Sequence, residues 1–67
     1  MKMMRVRDLI RLLESDGWKL VRQKGDHKQF RHPDKPGLVT LSGHPGDEIR
    51  PGTLNSILKQ AQLKGKS

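Results

Sequence analysis

Trp18-Lys19-Leu20-Val21-Arg22-Gln23-Lys24-Gly25-Asp26-His27-Lys28-Gln29-Phe30-Arg31-His32 decides the fold of this chain. Two alternating runs flank Gly25-Asp26, and a two-residue connection led by glycine signals a tight hairpin, because glycine supplies the positive φ that such turns need. In the first run Trp18, Leu20 and Arg22 alternate with Lys19, Val21 and Gln23, so Val21 stands as an apolar exception on an otherwise polar face. The second run extends from His27 to about His32. Phe30 is the chain's one phenylalanine and the largest apolar group of that run, which makes it the inward residue. Period two then sends His27, Gln29 and Arg31 to the opposite face, and Lys28 and His32 to the side of Phe30. A slip by one residue would bury Gln29 and expose Phe30, which the free energy of apolar burial opposes.

Outward from the hairpin the pattern changes period. Upstream, Val6, Leu9, Ile10 and Leu13 recur at i, i+3, i+4 and i+7, the stripe of an amphipathic helix. Gly17 is a left-handed stop for it, while its start offers no Ser, Thr, Asp or Asn cap. Downstream, Pro33-Asp34-Lys35-Pro36-Gly37 is a cluster of turn formers, and Leu38–Ser42 reads as a third strand. Gly43–Glu48 is a loop by composition. Pro51 suits a first helical turn, and Leu54, Ile57, Leu58 and Ala61 repeat the helical stripe, with Leu63 placed for a contact at its end. Gly65-Lys66-Ser67 reads as a frayed end. Neither helix can bury its stripe alone, so both belong on one face of the sheet and the other face stays open. The expectation is a single α+β domain over residues 1–67: helix, three-stranded antiparallel sheet, helix.

Composition narrows the function. Sixty-seven residues leave room for one modest core. There is no cysteine, which removes disulfides and thiolate–zinc sites and fits a reducing cytoplasm. No stretch approaches the apolar length of a membrane span, and Met1-Lys2-Met3-Met4-Arg5 lacks the apolar run of a secretory signal, so a cytoplasmic protein is expected. The formal net charge is +7. Lys19, Arg22, Lys24, Lys28, Arg31 and Lys35 crowd the central stretch, opposed there by Asp26 and Asp34, which is the footprint of a nucleic-acid partner.

His27 is the candidate for chemistry. Imidazole accepts and returns a proton near neutral pH without a large environmental shift. RNA carries its own nucleophile, the 2′-hydroxyl, and a positioned base is enough to activate it without a metal. Lys24, Lys28 and Arg31 are the candidate phosphate contacts, and Gly25 shapes the turn that presents them. The blander reading of His27 is a hairpin residue without a task. A metal site is disfavoured: His27 and His32 point to opposite faces, and His44 with Asp47 and Glu48 offers only weak cation binding. His44 is a candidate second acid–base group if its loop covers the open face. Trp18 could stack on a base but fits better as core. Lys59, Lys64 and Lys66 read as a solvated helix face and tail. No cofactor is implied.

The residues also bring a family into view. Leu9–Trp18, Gly25-Asp26-His27, Val39-Thr40-Leu41 with His44, and Pro51–Ala61 follow one another as they do in the HicA-type (YcfA-like) toxins, which the chain resembles over nearly its whole length. These are small bacterial messenger-RNA interferases of toxin–antitoxin pairs. The resemblance implies a fold similar to a double-stranded RNA-binding domain, endonucleolytic RNA cleavage by the histidine at position 27, and inhibition by a HicB-type antitoxin. Asp26 stands where the family usually has Ser; it could orient His27, raise its pKa, or repel the substrate phosphate. The rival is a non-catalytic double-stranded-RNA-binding module, which would want cations at the start of the second helix. That helix begins Pro51-Gly52-Thr53, with Arg50 alone beside it.

Overall fold

The computed structural model describes residues 4–63, so the tail expected over Gly65-Lys66-Ser67, with Lys64, lies outside the described residues. The order is α1 (Val6–Asp16), β1 (Lys19–Lys24), β2 (His27–Arg31), β3 (Leu38–Ser42) and α2 (Pro51–Gln60). The strands form one antiparallel sheet with β2 at its centre. Val6, Leu9 and Leu13 of α1 and Ile57 of α2 share one core with Phe30, Val39 and Leu41 of the sheet. Both helices therefore cover the same sheet face, as an α+β arrangement of this order requires. Trp18 is 1% exposed and belongs to that core, so it is no platform for a base.

Each helix ends in the same way, and the sequence explains why. After α1 the chain turns left-handed at Gly17 (φ +107°), and the amides of Gly17 and Trp18 donate to the carbonyls of Glu14 and Leu13. After α2 the left-handed residue is Gln62 (φ +56°), and the amides of Gln62 and Leu63 donate to Lys59 and Leu58. In both cases the residue that follows, Trp18 or Leu63, is buried, which is the apolar contact that accompanies this helix stop.

The start of α1 is capped by distant chain. The amides of Val6 and Arg7 donate to the carbonyls of Asp47 (2.9 Å) and Pro45 (3.1 Å), and the Asp8 carboxylate accepts from the Arg5 amide. Arg5 reaches back to the Gly46 carbonyl, and the Ile49 amide donates to Met4. The loop between β3 and α2 is thus folded onto the end of α1, which satisfies donors that a lone helix leaves unpaired.

His32 and Lys35 tie the far end of β2 to α1. The Asp34 amide donates to His32 Nδ1, so the ring proton sits on Nε2, which donates to the Asp16 carbonyl at 2.7 Å. The ring meets Trp18 edge-on, 5.3 Å between centroids. Lys35 Nζ binds the Asp16 carboxylate and the Ala61 carbonyl. These two residues do structural work, and Lys35 leaves the group of cations available to a ligand.

One feature of β1 departs from simple alternation. Lys19 pairs with Arg31 and Leu20 with Phe30, but Arg22 pairs with Gln29, so a bulge leaves Val21 and Arg22 together opposite one residue. Alternation alone would turn Arg22 inward with Trp18 and Leu20. The extra residue resets the phase, and Arg22 and Lys24 join Lys19 on the open face. Val21, 55% exposed, is the apolar residue on a polar face that marked the irregularity.

Candidate functional site

The hairpin turn that carries His27 is made by Gly25 at φ +58° and Asp26 at negative φ, so the left-handed position falls on the glycine. A Cβ at Gly25 would meet nothing within 4 Å; the residue is glycine for its backbone and not for a close approach. The Gln23 amide side chain donates to the Gly25 carbonyl and steadies the turn.

From that turn the register places the face. Lys24 lies opposite His27, Arg22 opposite Gln29 and Lys19 opposite Arg31 on one side of β2. Ser42, Thr40 and Leu38 lie opposite His27, Gln29 and Arg31 on the other. No strand residue is acidic. A cleft of about 300 Å³ opens beside the histidine, lined by Arg22, Lys24, His27 and Gln29. Neighbouring strands lie about 4.8 Å apart, so Lys24 and His27, directly opposite each other, border the cleft side by side.

Of the site residues expected from sequence, Lys24, Gly25, His27 and Arg31 share this face or its turn. Lys28 does not. It lies opposite Leu41 and two residues from Phe30, half-buried on the helix side of the sheet. Arg22, which alternation sent inward, takes the place in the cleft. The signal for it was Val21: an apolar residue out of phase is what a bulge leaves in a sequence.

His44 does not line the cleft among the described residues. Its loop lies against the hairpin turn and the start of α1 instead of folding over the open face. There His44 Nδ1 faces Asp26 Oδ1 at 3.4 Å, the Gly43 amide donates to the Asp26 carbonyl, and the His44 amide donates to the Asp47 carboxylate. Asp26 is therefore engaged by His44, at the same end of the sheet as His27. Among the described residues no three His, Asp or Glu side chains converge as a metal site would require.

Residues 6–63 match the family described as the HicA toxin of bacterial toxin-antitoxin. The chain belongs to the HicA toxin family. It is a toxin of a toxin–antitoxin system, with an antitoxin as its partner. No curated protein matches it. The match runs from the first residue of α1 to the buried Leu63, so every element that positions the cleft lies within the HicA domain. Among the described residues this HicA toxin has no helix long and apolar enough to cross a membrane.

Proposed function

We propose that this toxin is a metal-independent endoribonuclease that cuts messenger RNA in the cytoplasm, with His27 as general base. The observation that carries the reading is the cleft on the uncovered sheet face, where His27 stands with Arg22 and Lys24. His27 takes the proton of a ribose 2′-hydroxyl as its oxygen attacks the adjacent phosphorus. The bond from phosphorus to the 5′-oxygen breaks, leaving a 2′,3′-cyclic phosphate and a 5′-hydroxyl, whose proton comes from the solvent that the open cleft admits. Arg22 and Lys24 neutralise the charge that grows on the phosphate oxygens, and Arg31 holds the strand further along. Such chemistry needs no metal because the substrate supplies the nucleophile.

The same face suits a HicB-type antitoxin. A partner presenting acidic groups to Arg22, Lys24 and Arg31 would exclude RNA, and its association would be steered by charge and weakened by salt. The rival, a non-catalytic duplex-binding module, gains nothing from α2, whose first turn contains no cation.

His27→Ala is the deciding variant. His27 is exposed, so its loss leaves the fold intact. Cleavage of RNA should fall about 10²- to 10⁴-fold and growth arrest should disappear, with RNA affinity kept. Equal cleavage by the two proteins would refute the assignment.

A further inference from the structure

A second depression lies on the same open face, at the other end of the β1–β2 pair. It encloses about 230 Å³ and is lined by Lys19, Val21, Arg31, His32 and Pro33. His32 only walls it, since its ring nitrogens are committed to Asp16 and Asp34. The rest is a mixed surface: the Val21 side chain and the Pro33 ring are apolar, while Lys19 and Arg31 face each other across the strands. That combination matches a nucleotide, whose base has apolar faces and whose phosphate is anionic.

Position and charge favour a single strand as the occupant. From His27 to Arg31 β2 rises about 13 Å, which an extended polynucleotide tracking a basic groove covers in about two nucleotides. Lys24, Arg22, Lys19 and Arg31 mark that path without an acidic strand residue between them. Attack by a 2′-oxygen also needs it in line with the departing 5′-oxygen, an alignment that paired A-form RNA does not offer. Trp18 and Phe30 are buried and the His32 ring packs edge-on against Trp18, so a base here would rest on aliphatic surface and on the Arg31 guanidinium plane.

We propose that this depression is a nucleotide subsite. It takes the base of unpaired RNA about two nucleotides from the phosphate held at His27, with Val21 and Pro33 against the base and Lys19 and Arg31 on the backbone. The inference builds on the nuclease reading for what happens at His27, but the binding it describes is measurable without cleavage.

The test uses oligonucleotides with one cleavable ribose in an otherwise 2′-O-methyl strand, lengthened by single nucleotides on either side, with the full-length protein. kcat/KM should step up about 5- to 100-fold at one length on one side. Fully methylated strands should show the same step in Kd by fluorescence anisotropy. Val21→Ser and Lys19→Ala should each abolish or shrink the step and leave cleavage of the shortest substrate unchanged. Both residues are exposed, and two variants guard against misfolding of one. Cleavage without any length step in rate or Kd would overturn the subsite and leave the nuclease standing. A Kd step lost in the variants, with no RNA cut at any length, would sustain the subsite and overturn the nuclease. A step that survives both substitutions, or pairing of the strand with its complement, would also overturn the subsite.

Discussion

Deleting Val21 tests the bulge that puts Arg22 and Lys24 beside His27. Without it, Lys19, Arg22 and Lys24 still alternate outward and Leu20 and Gln23 inward, now opposite Arg31, Gln29, His27, Phe30 and Lys28 in an unbroken ladder. The valine is 55% exposed, so its loss forfeits less than half of the roughly 1.5–3 kcal/mol that full burial contributes, about 1 kcal/mol. Ordering one residue fewer relieves about 1–2 kcal/mol of backbone entropy. The two effects offset, and unfolding in urea should shift by no more than about 1 kcal/mol. Deleting Gln23 instead makes a chain of equal length with a different outcome. If the bulge stays, Lys24 turns inward; if the bulge closes, Arg22 turns inward opposite Lys28, a like-charge pair. Either way the cleft loses a cation. Affinity for a short 2′-O-methyl RNA, measured against salt, reads this directly. Each phosphate contact contributes about 0.7 to the slope of log K on log salt for a single strand. The slope should hold when Val21 is deleted and fall by about 0.7 when Gln23 is deleted. The reverse pattern would refute the register drawn for β1.

Two further variants probe the face and the scaffold. Arg22→Ala should lower the same salt slope by about 0.7 while Lys28→Ala leaves it unchanged, and equal slopes in the two would return Lys28 to the RNA-binding group. Gly17→Ala should cost about 2–3 kcal/mol in urea unfolding, from the left-handed backbone and from a Cβ placed 2.8 Å from His32 Nε2, which breaks the bond to Asp16; a change within about 0.5 kcal/mol would show that the His32 strut contributes little.

What the sequence made legible is what local pattern encodes. The stripe Val6-Leu9-Leu13, the stop at Gly17 and the inward Phe30 each follow from a short window, and each stands in the structure. From Phe30 alone, alternation placed His27, Gln29 and Arg31 on the open face, because β2 pairs with β3 without irregularity. The phase of β1 was not legible in that way. Strict alternation turned Arg22 inward, and the bulge that corrects it depends on pairing with β2, which no window of β1 contains. Long-range partners were invisible for the same reason. The cap of α1 comes from Pro45 and Asp47, and Lys35 is taken by Asp16 and Ala61. Lys28 shows the limit from the other side: it is a neighbour of the open-face cations in sequence, but alternation from Phe30 turns it to the helix side, opposite Leu41.

The net charge of +7 looks diffuse in composition, but the fold divides its opposing charges by task. Asp8 accepts from the Arg5 amide, Asp16 holds Lys35, Asp47 accepts from the His44 amide, and Asp26 faces His44. Four of the seven carboxylates are thus engaged in capping a helix, closing a loop or joining segments. The strands carry none. Lys19, Arg22, Lys24 and Arg31 therefore meet no acidic strand neighbour on the open face, and their field is directed outward into solvent where a polyanion would arrive. Asp26 is the exception that borders the site, and it faces His44 Nδ1 at 3.4 Å. Replacing Asp26 would remove a carboxylate from the turn beside His27 while leaving in place the residues that line the cleft.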